Sequence, residues 1–129
     1  MPFTFNKIDY IMITVSNMSR SVAFYKDKLG IPMKFGTPEW TEFQTGTTVL
    51  ALHGGGQPSS APKDPQTHVA GACSIGFNVD NLDLLYEQLQ AKGVVFVQAP
   101  TAREGEDIKL AIAVDPDGLP ISFGQAAKR

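Results

Sequence analysis

Few side chains in these 129 residues can do chemistry, and they are scattered. The two imidazoles, His53 and His68, could each act as a base or a metal ligand if the fold set them beside a substrate. His53 ends the apolar run Val49-Leu50-Ala51-Leu52, whereas His68 lies in a polar stretch where a solvated role is expected. Cys73 is the single cysteine, so it can form no internal disulfide and cannot by itself build a thiolate metal site; a buried structural thiol is expected. Gly54-Gly55-Gly56 suggests a phosphate loop, but neither a Lys-Ser/Thr pair nor a helix follows it. Arg103, Glu104, Glu106 and Asp107 form a charged run, read as a solvated loop between strands.

An internal repeat supplies the elements that position these groups. Ile11-Met12-Ile13-Thr14-Val15-Ser16-Asn17-Met18 reads as a strand entering a helix cap, and Ile75-Gly76-Phe77-Asn78-Val79-Asp80-Asn81-Leu82 repeats it 64 positions later. In the first copy Met18, Val22, Tyr25 and Leu29 form an apolar helical stripe that Gly30 can end; in the second, Leu82, Leu85 and Leu89 do so before Gly93. Asn17 or Ser19, and Asn81, are the candidate N-caps.

Strand-like runs follow each helix: 32–35, 40–44 and 48–53, then 94–98, 109–114 and 120–124. Thr45-Gly46-Thr47 signals a hairpin, and Asp115-Pro116-Asp117-Gly118 a turn. The order βαβββ therefore occurs twice. The chain reads as a single α+β domain, with module one at about 7–53, a Gly/Pro/Ser-rich linker at 54–70 and module two at about 71–125.

Composition excludes several function classes. Hydrophobic residues make up 43% and charged residues 19%, as in a globular protein. A net charge of −2 with dispersed Lys and Arg gives no pull toward nucleic acid or an anionic membrane. No apolar run suits a membrane span, and the first seven residues lack the pattern of a secretory signal, so a cytoplasmic location is expected.

With the duplicated unit in place, Ser21-Val22-Ala23-Phe24-Tyr25-Lys26-Asp27-Lys28-Leu29-Gly30 resembles the Ser-x-x-Phe-Tyr-x-x-x-Leu-Gly helix of the vicinal oxygen chelate superfamily, which includes glyoxalases, bleomycin resistance proteins and dioxygenases. Asp115-Pro116-Asp117-Gly118 is similar to the signature of its second module. The resemblance spans roughly Lys7 to Gly124 and implies that the two modules form an open barrel around a cavity.

In metal-using members, the first and last strands of each module supply four His, Glu or Gln ligands. Carried over, those positions fall on Tyr10, Ala51, Ser74 and Ser122. Alanine has no donor atom, neutral serine hydroxyls are poor ligands for these ions, and tyrosine suits chiefly ferric iron. No metal and no other cofactor is therefore expected.

The resemblance makes Tyr10, Ala51, Ser74 and Ser122 candidates to line a binding cavity. His53 shares a strand face with Ala51 and so can reach the rim. Either Trp40 or Phe43 faces inward, depending on the hairpin. A two-residue Thr45-Gly46 turn sets Trp40 opposite Ala51 and turns Glu42 inward; a three-residue turn swings Phe43 in instead. Trp40 is preferred, because an indole wants one wet edge. Phe77 is expected in the core, and Arg103 could lean over the pocket mouth toward an anionic group.

The resulting expectation is a homodimer whose metal-free cavity binds a small apolar or aromatic molecule, sequestering an antibiotic or similar compound. The alternative is an enzyme of the same fold, of lyase, isomerase or dioxygenase type, using shifted ligands such as His53 and Glu42 or metal-independent acid–base chemistry.

Overall fold

In a computed structural model, residues 3–58, 70, 73–103, 105 and 107–126 are described. The chain divides into two compact units, Met1–Pro58 and Ser59–Arg129. His68, Glu104 and Glu106 lie outside the described residues.

The first unit holds β1 (Tyr10–Thr14), α1 (Met18–Val22), a π-helical segment (Ala23–Lys28), β2 (Met33–Gly36), β3 (Trp40–Gln44) and β4 (Val49–His53). The second holds β5 (Ile75–Asn78), α2 (Leu82–Ala91), β6 (Val95–Ala102), β7 (Ile108–Val114) and β8 (Pro120–Ala126). Each unit has one four-stranded sheet, ordered β1-β4-β3-β2 and β5-β8-β7-β6. In each, the first strand runs parallel to the last and the remaining pairs are antiparallel.

The repeat extends to individual hydrogen bonds. The Asn17 side chain caps α1 by accepting from Arg20 N at 3.0 Å, and the Asn81 side chain caps α2 by accepting from Leu84 N at 3.1 Å. Val15 N donates to His53 O at 2.8 Å, and Val79 N to Gly124 O at 2.9 Å, tying each first strand's exit to the last strand of its unit. Gly30 and Gly93 end the helical stretches at φ +77° and +85°, a left-handed region that side chains disfavour.

The first helix departs from the expected stripe. Its second half is a π-helix, with Leu29 N donating to Phe24 O at 2.9 Å and Ile31 N to Tyr25 O at 3.0 Å. Ser21, Phe24 and Tyr25 are buried, while Val22 and Leu29 are only half-buried, because the wider turn breaks the 3.6-residue period behind the expectation. The core beneath it takes one face of the sheet: Phe43, Leu50, Leu52 and Ile13, with the Phe43 ring centroid 6.1 Å from Tyr25. In the second unit Ile75, Ala111, Ala113, Ile121 and Phe123 are buried, and Phe77, as expected of a core residue, stacks on Phe123 at 5.8 Å.

Two further expectations change. Cys73 is exposed rather than buried: it precedes β5, so no strand face turns its side chain inward. The glycine run is explained by close packing, since a Cβ on Gly54 would lie 2.6 Å from Pro38 O and Gly54 N donates to Glu39 O at 2.9 Å.

The turn after β7 depends on one side chain. Buried Asp115 accepts through Oδ1 from Asp117 N at 2.9 Å and Leu119 N at 2.8 Å. Asp115→Ala leaves both amide donors without this acceptor and should lower unfolding stability by about 2 kcal/mol, measured by urea denaturation.

Candidate functional site

The β3–β4 hairpin decides which side chains share a face. Thr45 N donates to Thr48 O at 3.3 Å, so Gly46-Thr47 forms the tip, and the ladder runs Gln44↔Val49, Glu42↔Ala51 and Trp40↔His53. The turn thus lies one residue beyond the expected Thr45-Gly46, and Trp40 stands opposite His53 rather than Ala51. Moving the turn by one residue shifts the pairing by two, which preserves facing. Trp40 and Glu42 accordingly lie on the face away from the helix, while Phe43, at 0% exposure, belongs to the helix side.

Residues in register extend that far face across the sheet. Phe35, Glu42, Ala51 and Met12 form one cross-strand row; Trp40, His53 and Thr14 form the next; and Gln44, Val49 and Tyr10 lie on the other side of the first row. Phe35 and Met12 were not expected there. The parallel β1–β4 register determines Met12, and an irregularity between Met33 and Phe35 determines Phe35; hydrophobic pattern reveals neither.

Trp40 joins the far-face groups. Its Nε1–H donates to Glu42 Oε2 at 2.8 Å. Tyr10 and His53 pack perpendicular to it, with centroids at 5.6 Å and 6.2 Å and interplanar angles of 84° and 87°. Lys34 Nζ lies 3.7 Å from the other carboxylate oxygen, Oε1, a loose ion pair whose lysine is well exposed. Tyr10 is 53% exposed and Ala51 is buried. The result is a patch of aromatic surface beside one carboxylate whose orientation is held by the indole.

The second unit presents a different far face. Gly76, Ser122, Ile112 and Gln98 form its cross-strand row. Ser122 Oγ donates to Ile75 O at 3.4 Å, and Ser74 lies exposed in the segment before β5. Arg103 is exposed at the end of the β6–β7 hairpin, where its backbone N–H donates to Ile108 O at 3.0 Å. The first unit also has a groove of about 560 Å³ that sequence reasoning missed, lined by Met18, Val22, Lys26, Met33 and Thr41 among others and containing no aromatic ring.

A resident metal does not fit these donors. Ala51 offers none, Ser122 Oγ is used on a backbone carbonyl, and both Glu42 oxygens face Trp40 or Lys34. Among the described residues no group of three or more His, Cys, Asp or Glu could hold an ion.

The sequence profile of the Glyoxalase/Bleomycin resistance protein/Dioxygenase superfamily matches residues 7–123. The chain belongs to this superfamily. A Bacillus subtilis (strain 168) protein described as uncharacterized protein YraH is 27% identical over 117 residues, covering 86% of this chain and 91% of that one. Solved structures agree in fold. A glyoxalase family protein from Enterococcus faecalis matches at TM-score 0.77 with 20% identity, over 93% of this chain and 98% of that one. A glyoxalase/dioxygenase from Nostoc punctiforme matches at 0.76 with 21% identity, over 95% and 92%. No helix among the described residues is long and apolar enough to cross a membrane.

Trp40 is the chain's only tryptophan, so its emission reports on this cluster. Glu42→Ala removes the indole acceptor and should shift the emission maximum measurably. Stability should fall by less than about 1 kcal/mol in the same urea titration, because water can replace a partner at a part-exposed site.

Proposed function

We propose that this superfamily member binds a small aromatic molecule without a metal, using the far face of the first sheet, and acts by holding that molecule rather than transforming it. Sequestration of an antibiotic or a similar aromatic compound is the corresponding role. The observation that carries the reading is the cluster of Tyr10, Trp40 and His53 around the Trp40–Glu42 hydrogen bond. Apolar and aromatic linings with a few fixed polar atoms orient a ligand, and the hydrogen bond at its N–H presets the orientation of the indole. The donor set described above supplies no metal-polarised carbonyl chemistry.

Thermal-shift titration of the tag-free protein against a library of small aromatic compounds tests this reading. Compounds that raise the melting temperature saturably should also perturb Trp40 emission, and the stabilisation should disappear in Trp40→Ala. Zn, Ni, Mn and Fe titrated into the same sample should leave the melting temperature unchanged. Near-stoichiometric metal would overturn the metal-free reading and direct attention to His53 and Glu42 as ligands.

The second partner in this reading is another copy of the chain. Phe3 and Phe5 are 91% and 94% exposed, and Ile8 and Ile11 near them are exposed too. Four large apolar side chains so close in sequence are costly to leave in water. Sedimentation equilibrium should give twice the chain mass, with Phe3→Ser/Phe5→Ser shifting the population toward monomer.

A further inference from the structure

We infer that the far face of the first sheet selects organic cations, its preferred ligand being an aromatic ring that bears an amidinium or ammonium group. The inference rests on the binding reading above and adds to it the sign of the ligand's charge.

Glu42 is the first reason. Its Oε2 accepts from Trp40 Nε1 at 2.8 Å, which fixes one carboxylate oxygen at the indole edge, while Oε1 lies 3.7 Å from Lys34 Nζ. That contact is long for a charge-assisted hydrogen bond, and the lysine side chain is 43% exposed against 21% for the glutamate. Exposed ion pairs hold weakly, so the lysine tail can swing into water when a ligand cation takes its place. The carboxylate cannot swing as easily, because the indole holds it.

The rings are the second reason. In a perpendicular pair the edge of one ring meets the face of the other, so the ring offering its edge keeps both faces outside the contact. Two such pairs meet at Trp40, so one ring of each pair keeps its faces outside the contact, and Tyr10 is half exposed beside the cluster. Aromatic faces carry negative potential and attract cations. Donation of the indole N–H to an anion adds electron density to the ring and strengthens that attraction. An anionic ligand would meet the same faces and Glu42 repulsively, Lys34 being the cation paired with that carboxylate.

Three compounds of nearly the same shape separate the possibilities: benzamidine, benzamide and benzoate. Each is titrated into the ¹⁵N-labelled protein while following the indole N–H resonance, which is single because the chain has one tryptophan. Benzamidine should shift the resonance saturably and bind about tenfold or more tightly than benzamide, with benzoate weakest. Glu42→Gln keeps an oxygen acceptor for Trp40 and removes the charge, and should bring benzamidine down to the affinity of benzamide. Lys34→Met removes the competitor and should tighten benzamidine binding. Benzamide or benzoate binding as tightly as benzamidine would overturn the charge preference while leaving the aromatic binding reading intact. A resonance that moves with none of the three would overturn both. The dispersion of the remaining spectrum verifies that each variant is folded.

Discussion

Side chains alternate along a strand with a period of two, and the first unit depends on how β4 uses that alternation. Leu50 and Leu52 go to the helix, while Ala51 and His53 go to the opposite face. A slip of one residue against β3 would bury Trp40 and Glu42 under the helix and expel Phe43, a side chain whose full burial contributes about 1.5–3 kcal/mol. The hairpin tip at Gly46-Thr47 and the core therefore enforce the same register, and the cluster around Trp40 results from both. Nothing in the cluster needs to hold itself in place against the fold.

The parallel β1–β4 pair brings in side chains from a distant part of the chain. Met12 opposite Ala51 and Tyr10 opposite Val49 are far from the β3–β4 hairpin in sequence, yet Tyr10 comes within 5.6 Å of Trp40, ring centre to ring centre. A parallel pair needs a crossover, which α1 and its π-helical continuation provide. The helix thus has two tasks, covering one face of the sheet and returning the chain so that β1 can contribute to the other.

Much of this was legible from the residues. The duplicated βαβββ order, the Asn81 cap and the terminating glycines follow from periodicity and cap chemistry, whereas the residues alone leave open Asn17 or Ser19 at the first cap and Trp40 or Phe43 on the far face, which the cap hydrogen bond and the hairpin register settle. Other features were not legible, for identifiable reasons. The π-turn at Ala23–Lys28 leaves no compositional trace, so the apolar stripe predicted at Val22 and Leu29 moved toward Ser21 and Phe24. Phe35 enters the far-face row through a strand irregularity that pattern counting cannot locate. Cys73 is expected to be buried as a lone structural thiol, but the strand starts two residues later, at Ile75, and the thiol is exposed. The bond between Trp40 and Glu42 joins two residues on one face of one strand, a spacing that any alternating strand contains, and only the side-chain geometry distinguishes it.

The two far-face rows have a consequence for how such a chain can change. The hydrogen bonds and packing that recur in both units (the Asn17 and Asn81 caps, the 15–53 and 79–124 links, the buried strand residues) lie in the backbone or on the helix side. The row Phe35, Glu42, Ala51, Met12 in one unit and the row Gly76, Ser122, Ile112, Gln98 in the other belong to equivalent scaffolds while sharing no residue type. One duplicated frame therefore tolerates two unrelated vocabularies, so recognition can drift in either copy with little cost to folding.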